Sequence, residues 1–162
     1  MSQTVAMYLA QGIHGIAYGM ILFLVASGVT LIIGMMNIMN MAHAGFFMLS
    51  AYIAYQVLLI TDNFWLALLV APILTAIFGM LMERFLIRRL HGYGVVSELI
   101  LTVGIGFIID AMVKIVWGTD SKPLDVPPLL AGLVNIAGME YPMYRLFIIG
   151  LALVVLGIMA LL

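Results

Sequence analysis

No aspartate, glutamate, lysine or arginine precedes Asp62 in this chain. A fold in water needs charged side chains spread over its surface, and so long a stretch without one has no route to solubility. The remaining sequence has the same character. Of its 162 residues 8% are charged and 66% hydrophobic, against about 25% and about 45–50% in soluble domains. With 6 basic residues, 7 acidic ones and no cysteine, neither a basic nucleic-acid module nor a disulfide scaffold is open to it. The chain reads as an integral membrane protein.

Crossing a hydrocarbon layer of ~30 Å takes ~20 apolar residues in a helix, so the length allows four or five crossings. The bilayer admits only helices and closed barrels. A barrel strand alternates apolar and polar residues, whereas Phe64–Met82 is apolar on every side. The expectation is therefore all-α: a polytopic transmembrane helix bundle of about five membrane segments, forming one transmembrane domain over residues 1–162. The predicted spans are 5–36, 41–60, 64–82, 95–117 and 144–162. The first is too long for one untilted crossing and is rich in glycine. The last is still running at Leu162 with no polar flank, so the sequence is expected to be incomplete at that end.

Half of the Lys and Arg residues, namely Arg84, Arg88 and Arg89, fall within segment 83–94. The positive-inside rule makes this a cytoplasmic loop, with those arginines as topology determinants. Segment 118–143 holds four of the five prolines and is net acidic, as an external loop can be. Proline at that density argues against a further span. The orientation of the N-terminus stays open, because it depends on whether both early stretches cross.

Few polar groups enter the apolar runs. Asn37, Asn40 and His43 recur every third residue, which on a helix covers an arc of about 120°. Polar groups at membrane depth are costly unless they face protein or water. The run therefore suggests a lined cavity or a break in a helix, and an interfacial cap is the plainer alternative. Asp110 and Lys114 stand at i, i+4 and can form an intramembrane ion pair. A translocation or proton site at Asp110 is the sharper reading. Gly15, Gly19, Gly34, Gly45, Gly104 and Gly106 read first as close helix packing and second as hinges. His14 is one imidazole in an apolar segment, expected to pack against a neighbour. No catalytic residue is proposed: a phosphate-binding Walker A loop, a Gly-x-Ser-x-Gly elbow and a His-Glu-x-x-His pair are all absent from the sequence. Three histidines far apart and no cysteine give a metal site little to build on, so no metal and no cofactor are expected.

The stretch from Ser27 to Tyr52, with Gly34-Met-Met-Asn37-Ile-Met-Asn40-Met-Ala-His43-Ala-Gly45 at its centre, resembles the signature of branched-chain amino acid ABC importer permeases of the LivH type. Glu83-Arg84 before a basic segment, Leu101-Thr-Val-Gly104-Ile-Gly106, Gly118-Thr-Asp120 and the proline-rich Pro123–Pro128 match in the same order. His43-Ala44-Gly45 stands where the family has His-Gly, and Ser50-Ala51-Tyr52 where it has Gly-Ala-Tyr. The resemblance implies a permease subunit in the cytoplasmic (inner) membrane. Its partners would be a second homologous permease subunit, two ATP-binding cassette ATPase subunits and an external solute-binding protein, with membrane lipid around them and no nucleic acid. The solute would be leucine, isoleucine or valine, or another small organic solute such as urea. Asn37, Asn40 and His43 are then expected to line the substrate pathway or its gate. With a neutral histidine that lining is uncharged and suits a zwitterion. An ion-coupled secondary transporter using Asp110, and a non-transporting membrane scaffold, are the other classes open to this sequence.

Overall fold

The apolar runs are helices in the computed structural model, which describes residues 3–36, 39–120, 122, 126–136 and 139–161. They are α1 (Gln3–Met36), α2 (His43–Thr61), α3 (Phe64–Met82), α5 (Val95–Trp117) and α6 (Met143–Leu161), each containing a stretch long and apolar enough to cross a membrane. Their surfaces fit no aqueous setting. Ile115, Val96 and Phe107 are 83%, 72% and 71% exposed, and at most 22% of the apolar window of any span is buried. Apolar area on that scale belongs against lipid or protein.

Two compact units make up the chain, one of residues 1–28 and 125–162 and the other of residues 29–124. In the second unit α2 packs on both α3 and α5. The link between α2 and α3 is only Asp62-Asn63. Asp62 takes a left-handed conformation (φ 49°) while its N–H closes α2 on the Leu58 carbonyl, and the Asn63 side chain accepts from the N–H groups of Trp65 and Leu66 at 3.0 and 3.2 Å. An asparagine in that place satisfies donors that a helix start otherwise leaves unpaired. The seam of α5 is Glu98, Thr102, Ile105, Ile109 and Val113, at intervals of three and four residues, all buried. Ile105, Ile109 and Val113 form the core with Ala42, and Phe46, Tyr52 and Trp117 close its flanks. Trp117 Nε1–H donates to Gln56 Oε1 at 3.0 Å, which ties α5 to α2 near one end.

Segment 83–94, expected as a loop, is mostly helical. A π-helical turn, Glu83–Ile87, prolongs α3 and is followed by α4 (Arg88–Leu90) and a 3₁₀ turn, His91–Tyr93. Glu83 accepts at its carbonyl from the Arg88 N–H, five residues on. Arg84, Arg88 and Arg89 are all exposed.

The first unit holds the N-terminal part of α1, a hairpin and α6. Strands β1 (Leu133–Ile136) and β2 (Met139–Pro142) pair antiparallel, Val134 opposite Tyr141 and Asn135 opposite Glu140. This hairpin lies inside the predicted loop 118–143. Its strands escape the proline rule because Pro142 sits at the strand end, where no further ladder donor is needed.

Candidate functional site

Between α1 and α2 the backbone leaves the helical path, and the polar residues gather there. Asn40 turns its side chain onto its own chain: Oδ1 accepts from the Ala42 N–H at 3.0 Å, while its carbonyl accepts from His43 N–H at 3.3 Å. An Asn side chain that accepts from the backbone N–H two residues on forms a local turn, here leading into α2. From the facing helix, Thr102 Oγ1 accepts from the Met41 N–H at 3.2 Å and stands 3.3 Å from the Met39 carbonyl oxygen. Asn37 lies outside the described residues.

Beside this break is a cavity of about 390 Å³, within the range of about 300–1,000 Å³ usual for small-ligand sites. Asn40 and His43 line it together with Thr75 and Glu83, and Ile32, Phe46, Met80 and Ile87 make its apolar wall. The His43 ring makes no hydrogen bond to another described residue. Glu83 is half-buried and, among the described residues, its carboxylate forms no ion pair. The Thr75 hydroxyl donates to the Ala71 carbonyl at 2.8 Å, leaving its lone pairs free to accept.

Besides Asn40 and His43 the cavity lining holds a carboxylate, since the π-helical turn after α3 brings Glu83 to it. Glu83 was legible only as part of a charged flank. Its approach to residues forty or more positions earlier depends on the tight α2–α3 hairpin. Chemically the cavity can hold a cation at Glu83 and hydrogen-bond a neutral donor or acceptor at His43, beside an apolar wall.

On the opposite face of α2 a shallower groove of about 370 Å³ is lined by Met41, Gly45, Met48, Gly106, Phe107 and Asp110. Asp110 Oδ2 lies 2.6 Å from Lys114 Nζ, both side chains being about half exposed. Here α2 and α5 come close: a Cβ on Gly45 would stand 3.5 Å from the Gly106 Cα, and one on Gly106 would stand 3.8 Å from the Ala42 Cα. Gly15, Gly19, Gly34 and Gly104 have open space where a Cβ would be, among the described residues.

In the other unit, His14 of α1 meets Tyr141 and Arg145. Arg145 Nη1 donates to His14 Nδ1, Tyr141 Oη is 3.4 Å from the same nitrogen, and the His14 and Tyr141 rings stand 5.2 Å apart. Arg145 Nε also donates to Tyr144 Oη at 3.0 Å. Arg145 had not been singled out from the sequence, although a lone arginine at the head of an apolar span is a visible signal.

Comparison with known proteins agrees with this architecture. The family model for the permease component of branched-chain amino acid transport systems matches residues 13–162. A curated relative, the high-affinity branched-chain amino acid transport system permease protein BraD of Pseudomonas aeruginosa, is 31% identical over 134 residues, covering 77% of this chain. The chain spans 43% of that relative's length. No solved structure matches it. A multi-pass set of apolar helices matched by one family model over nearly its whole length belongs to that family: the chain is a member of the branched-chain amino acid transport system permease components.

Proposed function

We propose that this chain is part of a permease subunit of an ATP-driven ABC importer. It would move branched-chain amino acids, or a related small solute, across the cytoplasmic membrane by alternating access. In this reading a second homologous permease subunit completes the path and two ATPase subunits drive it. An external solute-binding protein delivers the cargo over segment 118–143. Arg84, Arg88 and Arg89 face the cytoplasm, which sets the cavity in the inner half of the membrane. Asn37, Asn40 and His43 belong to the path or its gate.

One observation carries the assignment of the path. The cavity joins a half-buried carboxylate without an ion-pair partner among the described residues, Glu83, to an apolar wall. That combination suits an aliphatic amino acid, whose ammonium group would meet Glu83 while its side chain lies against Phe46, Met80 and Ile87. An ion-coupled mechanism centred on Asp110 draws less support, because that carboxylate is engaged by Lys114. The test is uptake of radiolabelled leucine into vesicles carrying the full-length subunit and its co-encoded partners, with and without internal ATP. ATP-dependent uptake that needs the binding protein and falls with Glu83→Gln is the expected result. Uptake driven by a proton gradient without ATP would overturn the importer reading, and full activity in Glu83→Gln would remove the cavity from the path.

A further inference from the structure

The Thr102 hydroxyl is completely buried, yet it reaches out of its own helix to backbone more than sixty positions earlier in the chain. Within α5 its natural partner is the Leu99 carbonyl at 3.1 Å, and across the interface stands the Met39 carbonyl at 3.3 Å. A hydroxyl has one proton and two lone pairs, so it can donate to only one of these carbonyls at a time. Its acceptor side is already used by the Met41 N–H. Irregular backbone inside a membrane persists only where its polar groups find partners in protein or water. At the break before α2 this single side chain supplies such a partner from the neighbouring helix.

We infer that Thr102 is a positioning residue that pegs the break at 39–42 to α5, and that the break opens when this peg lets go. Three features support the inference. Ala42, beside the peg, is 1% exposed and belongs to the core with Ile105 and Ile109, so this position is shielded while the peg holds. Gly106 lets the backbone at Ala42 come near, which puts the hydroxyl one turn earlier within reach of Met41. Asn40, between the two pegged residues, and His43, just past them, both line the cavity. The two alternative carbonyl acceptors also give the hydroxyl somewhere to go. With its proton on Leu99 the link to the break is one bond, and with its proton on Met39 it is two. The functional half of this inference rests on the transport reading above, while the structural half does not.

These 162 residues contain no cysteine, so a single one can be introduced once any cysteine in the rest of the full-length subunit has been replaced by serine. Ala42→Cys is placed in the full-length subunit, assembled with its partners in membranes, and labelled with N-ethylmaleimide in three backgrounds: native, Thr102→Val and Thr102→Ser. Valine keeps the shape and removes the hydroxyl; serine keeps the hydroxyl. Labelling should rise about tenfold in Thr102→Val, equivalent to about 1.4 kcal/mol, and stay at the native rate in Thr102→Ser. Equal rates in all three backgrounds, or a serine variant as fast as valine, would overturn the peg.

If Thr102→Val fails to accumulate, amide exchange in the native protein decides instead. The Met41 amide should exchange far more slowly than an unstructured reference amide, and an unprotected Met41 would refute the bond. Solute uptake separates the two halves of the inference. It should fall in Thr102→Val and return in Thr102→Ser, whereas native uptake in valine would show that transport does not use the peg. No ATP-dependent uptake in the parent would strike the importer reading and leave the labelling result in force.

Discussion

Gly45 offers the sharpest quantitative test of how α2 and α5 meet. A Cβ added there would find the Gly106 Cα and Ile109 Cδ1 both at 3.5 Å, which is ordinary van der Waals contact. Gly45→Ala therefore needs no movement, and in the first turn of α2 it gains at most the ~0.8–1.0 kcal/mol that alanine holds over glycine in a helix interior. The expected result is unchanged or slightly raised stability. Gly45→Leu is different. Its next carbon extends about 1.5 Å beyond Cβ, and the space ahead is held by backbone at Gly106 and by the buried Ile109. The helices must separate, at an overpacking cost of about 1–3 kcal/mol. The propensity gain offsets part of this cost, so the net effect is destabilising or near zero at its mildest. Gly104→Leu is the control, because no described atom lies within 4 Å of a Cβ there. The assay is thermal unfolding of the detergent-solubilised full-length subunit, followed by the loss of its monodisperse fluorescent peak. A clear drop in Gly45→Ala, or equal behaviour of the leucine variants at 45 and 104, would refute the close approach.

Asn63→Ala removes both side-chain bonds that start α3 and should cost about 0.5–2 kcal/mol in the same assay, with no loss meaning that water caps the helix equally well. Lys114→Met strands the Asp110 carboxylate in a membrane helix, at up to about 2.5–3.5 kcal/mol on the insertion scale, so it should accumulate less in membranes than the double variant Asp110→Asn/Lys114→Met. Equal accumulation of the two would mean that the pair is solvated and structurally idle. Arg145→Met takes away the donor that holds His14 and Tyr144, and protease cleavage within the hairpin at 133–142 should accelerate; an unchanged cleavage rate would show that the hairpin is fixed by other contacts.

Five membrane-length helices were legible because hydropathy acts over a whole span, and a run such as Phe64–Met82 has no other stable state in a chain this apolar. Asn40 and His43 were legible as polar exceptions at membrane depth. What they face was not, since Glu83 reaches them only through the α2–α3 pairing. The hairpin at 133–142 was hidden by the prolines around it, which mark irregular backbone without saying where pairing resumes. His14 and Arg145 meet across more than 130 positions, and no spacing rule operates over such a distance. Thr102 was visible only inside a motif, because a threonine in an apolar helix normally bonds its own preceding turn, as it also does here.

The Asp62-Asn63 link has a mechanical consequence. A connection that short, capped on both sides, holds the joined ends of α2 and α3 together, and the packing of α2 on α3 holds the rest. On the transport reading proposed above, the two helices would travel as one fork. Rotation then has to be absorbed at the two places where the fork's open ends meet the rest of the unit: the irregular backbone before His43 and the wound-out turns after Met82. Those two joints flank the same cavity, so a single rocking of the fork would change its opening from both sides at once.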